Sequence, residues 1–280
     1  MPSIDVNTNY LSLVLQNQLT STTKLLNSSM EKLSTGKKIN HAADGAAQLA
    51  ISSKMQAQIS GTKIAQENTQ QGKLMLDQAD SSLQQINENL VKLRDLAVQA
   101  SNGTLSSDER AILQIEAQGY IDQINAIAKD TEFSGLTLLD GSLTDLKLQV
   151  GANKGDTLDI SKAFTDASAS AMGLTSTVLN TAFSSATNAS KFIETVDAAV
   201  TTTSTKLATV GAYSNSLDST LEALAVRQIN YEASNAEIID VDYAAEMSKY
   251  VQLQVLQQAQ ISLVSQANMM PSYALSLLQG

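Results

Sequence analysis

The chain contains only two prolines, Pro2 and Pro271, so almost its whole length lacks the residue that most strongly interrupts an α-helix. Two long segments between these prolines place apolar side chains at alternating steps of three and four residues. The first follows Leu76, Ala79, Leu83, Ile86, Leu90, Leu93, Ala97 and Ala100, and the second runs from residue 193 to residue 238. This spacing predicts two long helices that pack against each other as a coiled coil.

Both ends of the chain are free of charge over long stretches. No Asp, Glu, Lys, Arg or His occurs in residues 6–23 or 251–280. Near the N-terminus, leucines recur every seven residues with further seam positions between them: Leu15, Leu19, Thr22, Leu26, Ser29 and Leu33. The pattern predicts a helix at each end, and the two helices form a matched pair. The C-terminal stretch is too rich in glutamine for a membrane span.

The terminal helices carry more apolar side chains than one helix contact can bury. A helix buries one face against a partner, and ordering a thirty-residue segment has a large entropic cost. We therefore predict that the ends are mobile in an isolated chain and order between neighbouring copies. An ordinary intramolecular helix pair on a larger core is the alternative that these residues leave open. The predicted polymerisation interface consists of Leu11, Leu15, Leu19, Leu26, Leu33, Val251, Val255, Leu256, Leu263 and Leu278.

A short segment between the long helices changes to a period of two. Leu146, Leu148 and Val150 alternate with polar residues, and the same alternation returns at Leu158 and Ile160 after the turn sequence ANKGD. This pattern predicts a β-hairpin. The expected fold is therefore mainly α, with long antiparallel coiled-coil helices, a small β-hairpin, and termini paired as a helical coiled coil.

The sequence offers almost no material for catalysis or cofactor binding. The net charge of −10 argues against nucleic-acid binding. There is no cysteine, and the one histidine, His41, is interpreted as a structural or solvated residue at a helix start. No nucleotide-binding, metalloprotease or nucleophile-elbow motif occurs. We expect a protein that is not an enzyme, has no cofactor or metal, and contacts neither nucleic acid nor membrane. The N-terminus does not have the form of a cleavable secretory signal.

Several long blocks resemble bacterial flagellin, in the order that the family has them. They are LSTGKKINHAADGAAQLAISSKMQAQISG, NENLVKLRDLAVQASNGTLSSDER, TEFSGLTLLDG, LQVGANKGDTLDI and IIDVDYAAEMSKYVQLQVLQQAQISLVSQANMMPSYALSLL. The resemblance covers nearly the whole chain except residues 165–190. It implies an extracellular subunit that polymerises into the flagellar filament for swimming motility.

The resemblance also implies a domain plan. Residues 1–40 and 240–280 would be the two halves of an inner core domain. Residues 41–164 and 191–239 would form the outer core domain with the hairpin. Residues 165–190, a Ser/Thr/Ala stretch without sustained periodicity, are expected to be an exposed variable loop or insertion, which makes this a short, core-only member.

The partners that the resemblance implies are identical copies, a flagellar export chaperone, and hook-associated and cap proteins, with export through the flagellar type III apparatus. Family members are also ligands of an animal Toll-like receptor, and the matching surface here is Lys92, Leu96 and Glu116. Lys92 replaces the family's arginine and lacks its planar fork. Two other interpretations remain, a hook–filament junction protein and a catalytic protein on a coiled-coil scaffold.

Overall fold

The computed structural model describes the backbone of residues 9–279 and the side chains of residues 9–272. Six α-helices account for most of these residues: α1 Tyr10–Thr35, α2 Ala42–Ala100, α3 Ser107–Asp130, α4 Ser176–Ala182, α5 Ala186–Ile239 and α6 Tyr243–Gln279. Two antiparallel two-stranded sheets complete the structure, with β1 Glu132–Phe133 paired to β2 Leu136–Thr137 and β3 Lys147–Gln149 paired to β4 Thr157–Asp159. The predicted fold class is confirmed.

The chain divides into two compact units. Unit 1 comprises Met1–Ala57 and Asn230–Gly280, and unit 2 comprises Gln58–Ile229. This division falls inside α2 and α5, whereas the domain plan expected from the sequence places its boundaries at residues 40 and 240, near the ends of α1 and α5. The expected domain plan therefore stays a prediction.

The core of unit 2 includes the facing sides of α2 and α5. The apolar seam predicted on α2 from Leu76 to Ala100 is buried, as are Val196, Val210 and Leu217 of α5. Two ion pairs, Lys73 with Asp218 and Arg94 with Asp197, flank this core. The partner number on α5 falls as the number on α2 rises, so the two helices run antiparallel. Both pairs are partly exposed, so we attribute the stability of unit 2 to apolar burial.

The predicted hairpin forms and packs closely on α2. β3 and β4 pair with Leu148 opposite Leu158. A side chain at Gly61 of α2 would place its Cβ 2.8 Å from the Cβ of Ala152 and 3.3 Å from its Cα. Asn68 of α2 also donates from Nδ2 to the carbonyl of Gln149, 3.3 Å away. The absence of a side chain at Gly61 therefore allows the hairpin to lie against the helix.

Replacing Gly61 with alanine tests this close approach. We expect Gly61→Ala to lower the free energy of unfolding of unit 2 by about 1–2 kcal/mol, because the steric overlap with Ala152 outweighs the gain in helix propensity. Gly119→Ala on α3 is the matched control, since a Cβ there meets no atom within 4 Å. The control is expected to stabilise by about 0.5–1 kcal/mol. Chemical denaturation measures both, and equal stabilisation by the two variants would contradict the packing argument.

Residues 165–190 were expected to be an exposed loop, and this expectation is wrong. Ala167, Leu174 and Leu179 are buried in the core of unit 2. The ring of Phe183 lies edge-to-face with that of Phe192, with centroids 6.1 Å apart. The segment holds α4 and several turns. Small Ser, Thr and Ala side chains let the chain pack in an irregular path, which leaves no period of two or of 3.6 residues for sequence reasoning to find.

Candidate assembly surface on the terminal helices

Capping residues define both ends of α1 and the start of α6. The side chain of Asn9 caps α1 by accepting a hydrogen bond from the N–H of Ser12 at 3.1 Å. Gly36 ends α1 in the left-handed region with φ 73°. Asp242 starts α6 by accepting from the N–H groups of Ala244 and Ala245. Asp242 therefore caps the N-terminus of α6.

The chain between the terminal helices and the long helices is fixed by backbone contacts. The N–H of Lys38 donates to the carbonyl of Ile239 at 2.7 Å, and the N–H of Val241 donates to the carbonyl of Gly36 at 3.0 Å. A side chain at Gly36 would come within 3.1 Å of the Tyr243 hydroxyl. These contacts set where α1 ends relative to the start of α6.

The start of α2 is held by one carboxylate. Oδ2 of Asp44 accepts hydrogen bonds from the N–H of His41 at 2.9 Å and from the N–H of Asn40 at 3.1 Å. These two bonds, the His41 bond foremost, hold the pKa of Asp44 below its ordinary value of 3.8. The imidazole of His41 is largely exposed and lies 3.5 Å from Glu31, which fits the structural or solvated role expected of it.

The depressed pKa of Asp44 predicts how this turn responds to acid. A carboxylate whose pKa is lower in the folded state stabilises that state above the unfolded pKa and loses the effect as pH falls through the folded pKa. We therefore expect the amide protons of Asn40 and His41 to stay protected above pH 3.8 and to lose protection only below it. Asp44→Asn should remove this titration. Nuclear magnetic resonance measures the protection of these two amides as a function of pH. A loss of protection with its midpoint above pH 3.8 would contradict the role given to Asp44.

The two terminal helices form an antiparallel pair. Their contact face, the seam, contains both polar and apolar side chains. Asn9 donates from Nδ2 to the carbonyl of Ala267 at 2.6 Å, and Gln257 donates from Nε2 to Oγ1 of Thr23 at 3.1 Å. Buried and half-buried side chains follow steps of three and four on both helices: Ser12, Leu15, Leu19, Thr22, Leu26, Ser29 and Leu33 on α1, and Glu246, Tyr250, Leu253, Gln257, Gln260, Val264, Ala267 and Pro271 on α6. The seam predicted for the N-terminal helix is therefore the face that meets α6.

The structure separates the predicted interface residues into two groups. Four of them, Leu15, Leu19, Leu26 and Leu33, lie in the seam and pack within the chain. Five others are exposed outside the seam: Leu11, Val251, Val255, Leu256 and Leu263. Leu278 lies outside the residues whose side chains are described. Contacts with another copy can therefore be sought first on the exposed group.

Sequence reasoning missed a second set of exposed apolar residues on the same unit. On α1 and the start of α2 these are Tyr10, Leu13, Val14, Leu25, Met30 and Ile51, and on α6 they are Tyr243, Met247, Ile261, Met269 and Met270. Tyr10 is 76% exposed and Val255 is 60% exposed. The signal was present in the sequence, because apolar residues continue beside the seam where charged residues would normally stand.

The exposed apolar residues of unit 1 indicate that this unit associates with other protein surfaces. A pair of helices covers one face of each helix, and the other faces of α1 and α6 remain in water. Large apolar side chains exposed in number on one unit indicate a site of association. These exposed residues of α1 and α6 are called the terminal apolar surface below.

The predicted receptor surface is only partly at the surface. Lys92 and Glu116 are exposed, but Leu96 is 5% exposed and belongs to the core of unit 2. The inclusion of Leu96 in a contact surface is therefore corrected. Leu96 lies beside Leu93 and Ala97 of the α2 pattern and packs in the same core.

The described residues hold no cluster of three or more potential metal ligands. Among the helices of residues 9–279, none has an apolar stretch that is long and continuous enough to cross a bilayer.

Comparison with known proteins identifies the family. The sequence matches the bacterial flagellin N-terminal helical region over residues 6–144 and the bacterial flagellin C-terminal helical region over residues 193–278. A flagellin of Halalkalibacterium halodurans is 36% identical over 250 residues, which cover 89% of this chain and 90% of the relative. A flagellin of Bacillus subtilis is 34% identical over 305 residues, with 98% and 99% covered. The chain belongs to the bacterial flagellin family.

A solved structure gives a further likeness at the level of the fold. The structure of a putative flagellar hook-associated protein from Vibrio parahaemolyticus matches with a TM-score of 0.59 and 16% sequence identity, covering 70% of this chain and 100% of that chain. At this identity the likeness shows a shared helical fold alone.

Proposed function

We propose that this chain is the structural subunit of a bacterial flagellar filament and that it polymerises through the terminal apolar surface. The observation that carries the proposal is that most of the exposed large apolar side chains among the described residues lie on unit 1. Polymerisation would cover these side chains with the same surface of neighbouring copies, at a gain of about 25 cal/mol per Å² of apolar area. The filament is an extracellular appendage that serves swimming motility.

A filament subunit accounts for the comparisons better than a hook–filament junction protein. The relatives that align with nearly the whole chain at 34% and 36% identity are flagellins. The hook-associated structure shares the fold at 16% identity. We therefore keep the junction protein as the alternative that the assembly experiment below excludes.

Further partners follow from the need to cover α6 before assembly. We infer that an export chaperone binds the exposed apolar residues of α6, that export proceeds through the flagellar type III apparatus, and that hook-associated and cap proteins contact the two ends of the filament. Residues 1–40 and 240–280 would then form the inner core domain. A host Toll-like receptor would have to use Lys92 and Glu116 without Leu96, which is buried.

Seeded elongation tests the proposed function. Purified chain is added to short filament fragments, and electron microscopy records filament length against time. A filament subunit is expected to extend each seed by many subunits at a rate proportional to its concentration. A junction protein would stop after a few subunits. Arrest of growth at that length, or no growth from any seed, would contradict the proposal.

A further inference from the structure

Methionine side chains differ sharply in exposure between the two units. Four of the chain's eight methionines, called the exposed methionines below, lie on the terminal apolar surface and are each between 45% and 48% exposed: Met30, Met247, Met269 and Met270. In unit 2, Met75 and Met172 are buried. Met55 on α2 is half-buried, and Met1 lies outside the described residues. Within the described part of the chain, exposed thioethers are therefore confined to the surface that polymerisation would cover.

The sulfur of an exposed methionine is open to oxidation by peroxides. Its lone pair attacks one oxygen of hydrogen peroxide, the O–O bond breaks, and hydroxide leaves. The oxygen bound to sulfur then gives its proton to that hydroxide, so the products are methionine sulfoxide and water. Sulfur is oxidised and the peroxide is reduced. Because the chain has no cysteine and no tryptophan, methionine is the side chain that a mild peroxide treatment oxidises first.

The two methionines of unit 2 are protected by its core. Met75 and Met172 both pack in the apolar core, and Sδ of Met172 accepts a hydrogen bond from Oγ1 of Thr203 at 3.4 Å. A peroxide reaches these sulfurs only when unit 2 opens. No such opening is needed on α1 and α6, and mobility of these helices in the free chain increases access further. The chain therefore holds its own internal controls for oxidation of the exposed methionines.

We propose that the exposed methionines are peroxide-sensitive sites whose oxidation prevents the subunit from polymerising. A sulfoxide places a polar oxygen where the terminal apolar surface has an apolar thioether. When a neighbouring copy covers that oxygen, it loses its water, and apolar side chains supply no hydrogen-bond donor in return. Sulfoxide reductases restore the thioether, so the switch is reversible. Its effect on assembly rests on the proposed function, whereas the selectivity of oxidation concerns the free chain alone.

Peptide mass spectrometry after brief treatment with hydrogen peroxide measures where the chain is oxidised. In the free subunit we expect the exposed methionines to react at least about tenfold faster than Met75 and Met172, because a core residue reacts only while the core is open. In the filament we expect the exposed methionines that neighbouring copies cover to react at least about tenfold more slowly than in the free subunit. Equal rates for exposed and buried methionines in the free subunit would overturn the selectivity. Unchanged rates at all four positions in the filament would overturn the link to assembly.

Seeded elongation with the oxidised subunit measures the consequence for assembly. We expect the concentration needed for elongation to rise at least about tenfold, since each covered sulfoxide is a polar group without a partner. Treatment with the reductases for both sulfoxide epimers should restore the parental concentration. Recovery of this kind also shows that the oxidised chain was not lost to irreversible unfolding.

Leucine substitution tests whether the exposed methionines are responsible. Leucine keeps an apolar side chain of similar volume and has no sulfur, so the combined variant should elongate at the parental concentration with or without peroxide. It carries Met30→Leu, Met247→Leu, Met269→Leu and Met270→Leu. Met55→Leu is the matched control, because it removes one thioether outside the terminal apolar surface and should stay as sensitive to peroxide as the parent.

Parental elongation of the fully oxidised subunit would overturn the proposal. Equal loss of elongation by the oxidised leucine variant would do the same, because the damage would then lie at other residues. If the leucine variant elongates poorly before treatment, recovery of the oxidised parent with the reductases decides: restored growth supports the switch and absent recovery overturns it. Failure of the untreated parent to elongate would contradict the proposed function, while the oxidation rates in the free chain would still decide the selectivity.

Discussion

Removal of residues 250–280 will abolish elongation of filament seeds and leave the helices of unit 2 folded. The deletion takes away most of α6, and α1 then loses the partner for its seam. No growth is expected even at roughly 100 times the concentration at which the full chain elongates, because half of the terminal apolar surface is gone. Electron microscopy measures elongation, and circular dichroism measures the helical content that remains.

The circular dichroism result is the control for this deletion. The core of unit 2 is built from residues between 75 and 217, and none of them is removed. The helical signal should therefore fall only by the share of the deleted part of α6 and the unpaired α1. The thermal transition of unit 2 should persist. Global unfolding of the truncated chain would show that the terminal helices belong to the core of the subunit, and it would contradict the account.

Val255→Glu will have the second largest effect. Val255 is 60% exposed on α6, so glutamate is tolerated in the free subunit. In the filament a carboxylate would be buried against apolar side chains of another copy, which costs several kcal/mol when it is unpaired. We expect the concentration needed for elongation to rise about 100-fold. Sedimentation of polymer from monomer at a series of concentrations measures this value.

Val178→Glu is the matched control for Val255→Glu. Val178 lies on α4 in unit 2 and is 37% exposed, so the same chemical change is made on a surface outside the terminal helices. The control should elongate at close to the parental concentration. Equal impairment by the two substitutions would show that added charge, and not the terminal apolar surface, governs assembly. Elongation of Val255→Glu at the parental concentration would show that Val255 does not lie in the interface.

Strong periodicity made the helices predictable from the sequence. The α2 pattern from Leu76 to Ala100 is unbroken, and every one of its eight positions is buried. The start of α3 also follows from local residue chemistry, because Ser106 and Glu109 form a reciprocal capping box. The hairpin followed from a period of two around a turn sequence. In each case local residue chemistry and the tertiary fold favour the same structure.

The sequence was less informative where packing depends on distant residues. Leu148 belongs to a short strand, and nothing in its neighbours reveals that it lies against Gly72 of α2. Residues 165–190 have no period because irregular segments bury side chains one at a time. The side chains of α6 that face the seam also required the structure, because the sequence pattern assigned no seam there: Leu253 is buried, whereas Val255 and Leu256 are exposed.

Part of the candidate site could be found from the sequence. The absence of charge at both ends directed attention to α1 and α6, where many of the exposed large apolar side chains lie. The hydrogen bond from Asn9 to the carbonyl of Ala267 could not be found in this way, because it joins residues 258 positions apart in the sequence. Only the fold brings these two residues together.

Hydrogen exchange of the amides in α1 and α6, compared between dilute monomer and filament, tests the central claim most directly. If these helices depend on neighbouring copies, their amides should exchange at least about 100-fold more slowly in the filament, whereas the amides of the unit 2 core should change little. Amides of α1 and α6 that are already as well protected in a verified monomer as those around Leu83 and Ile86 would contradict the claim.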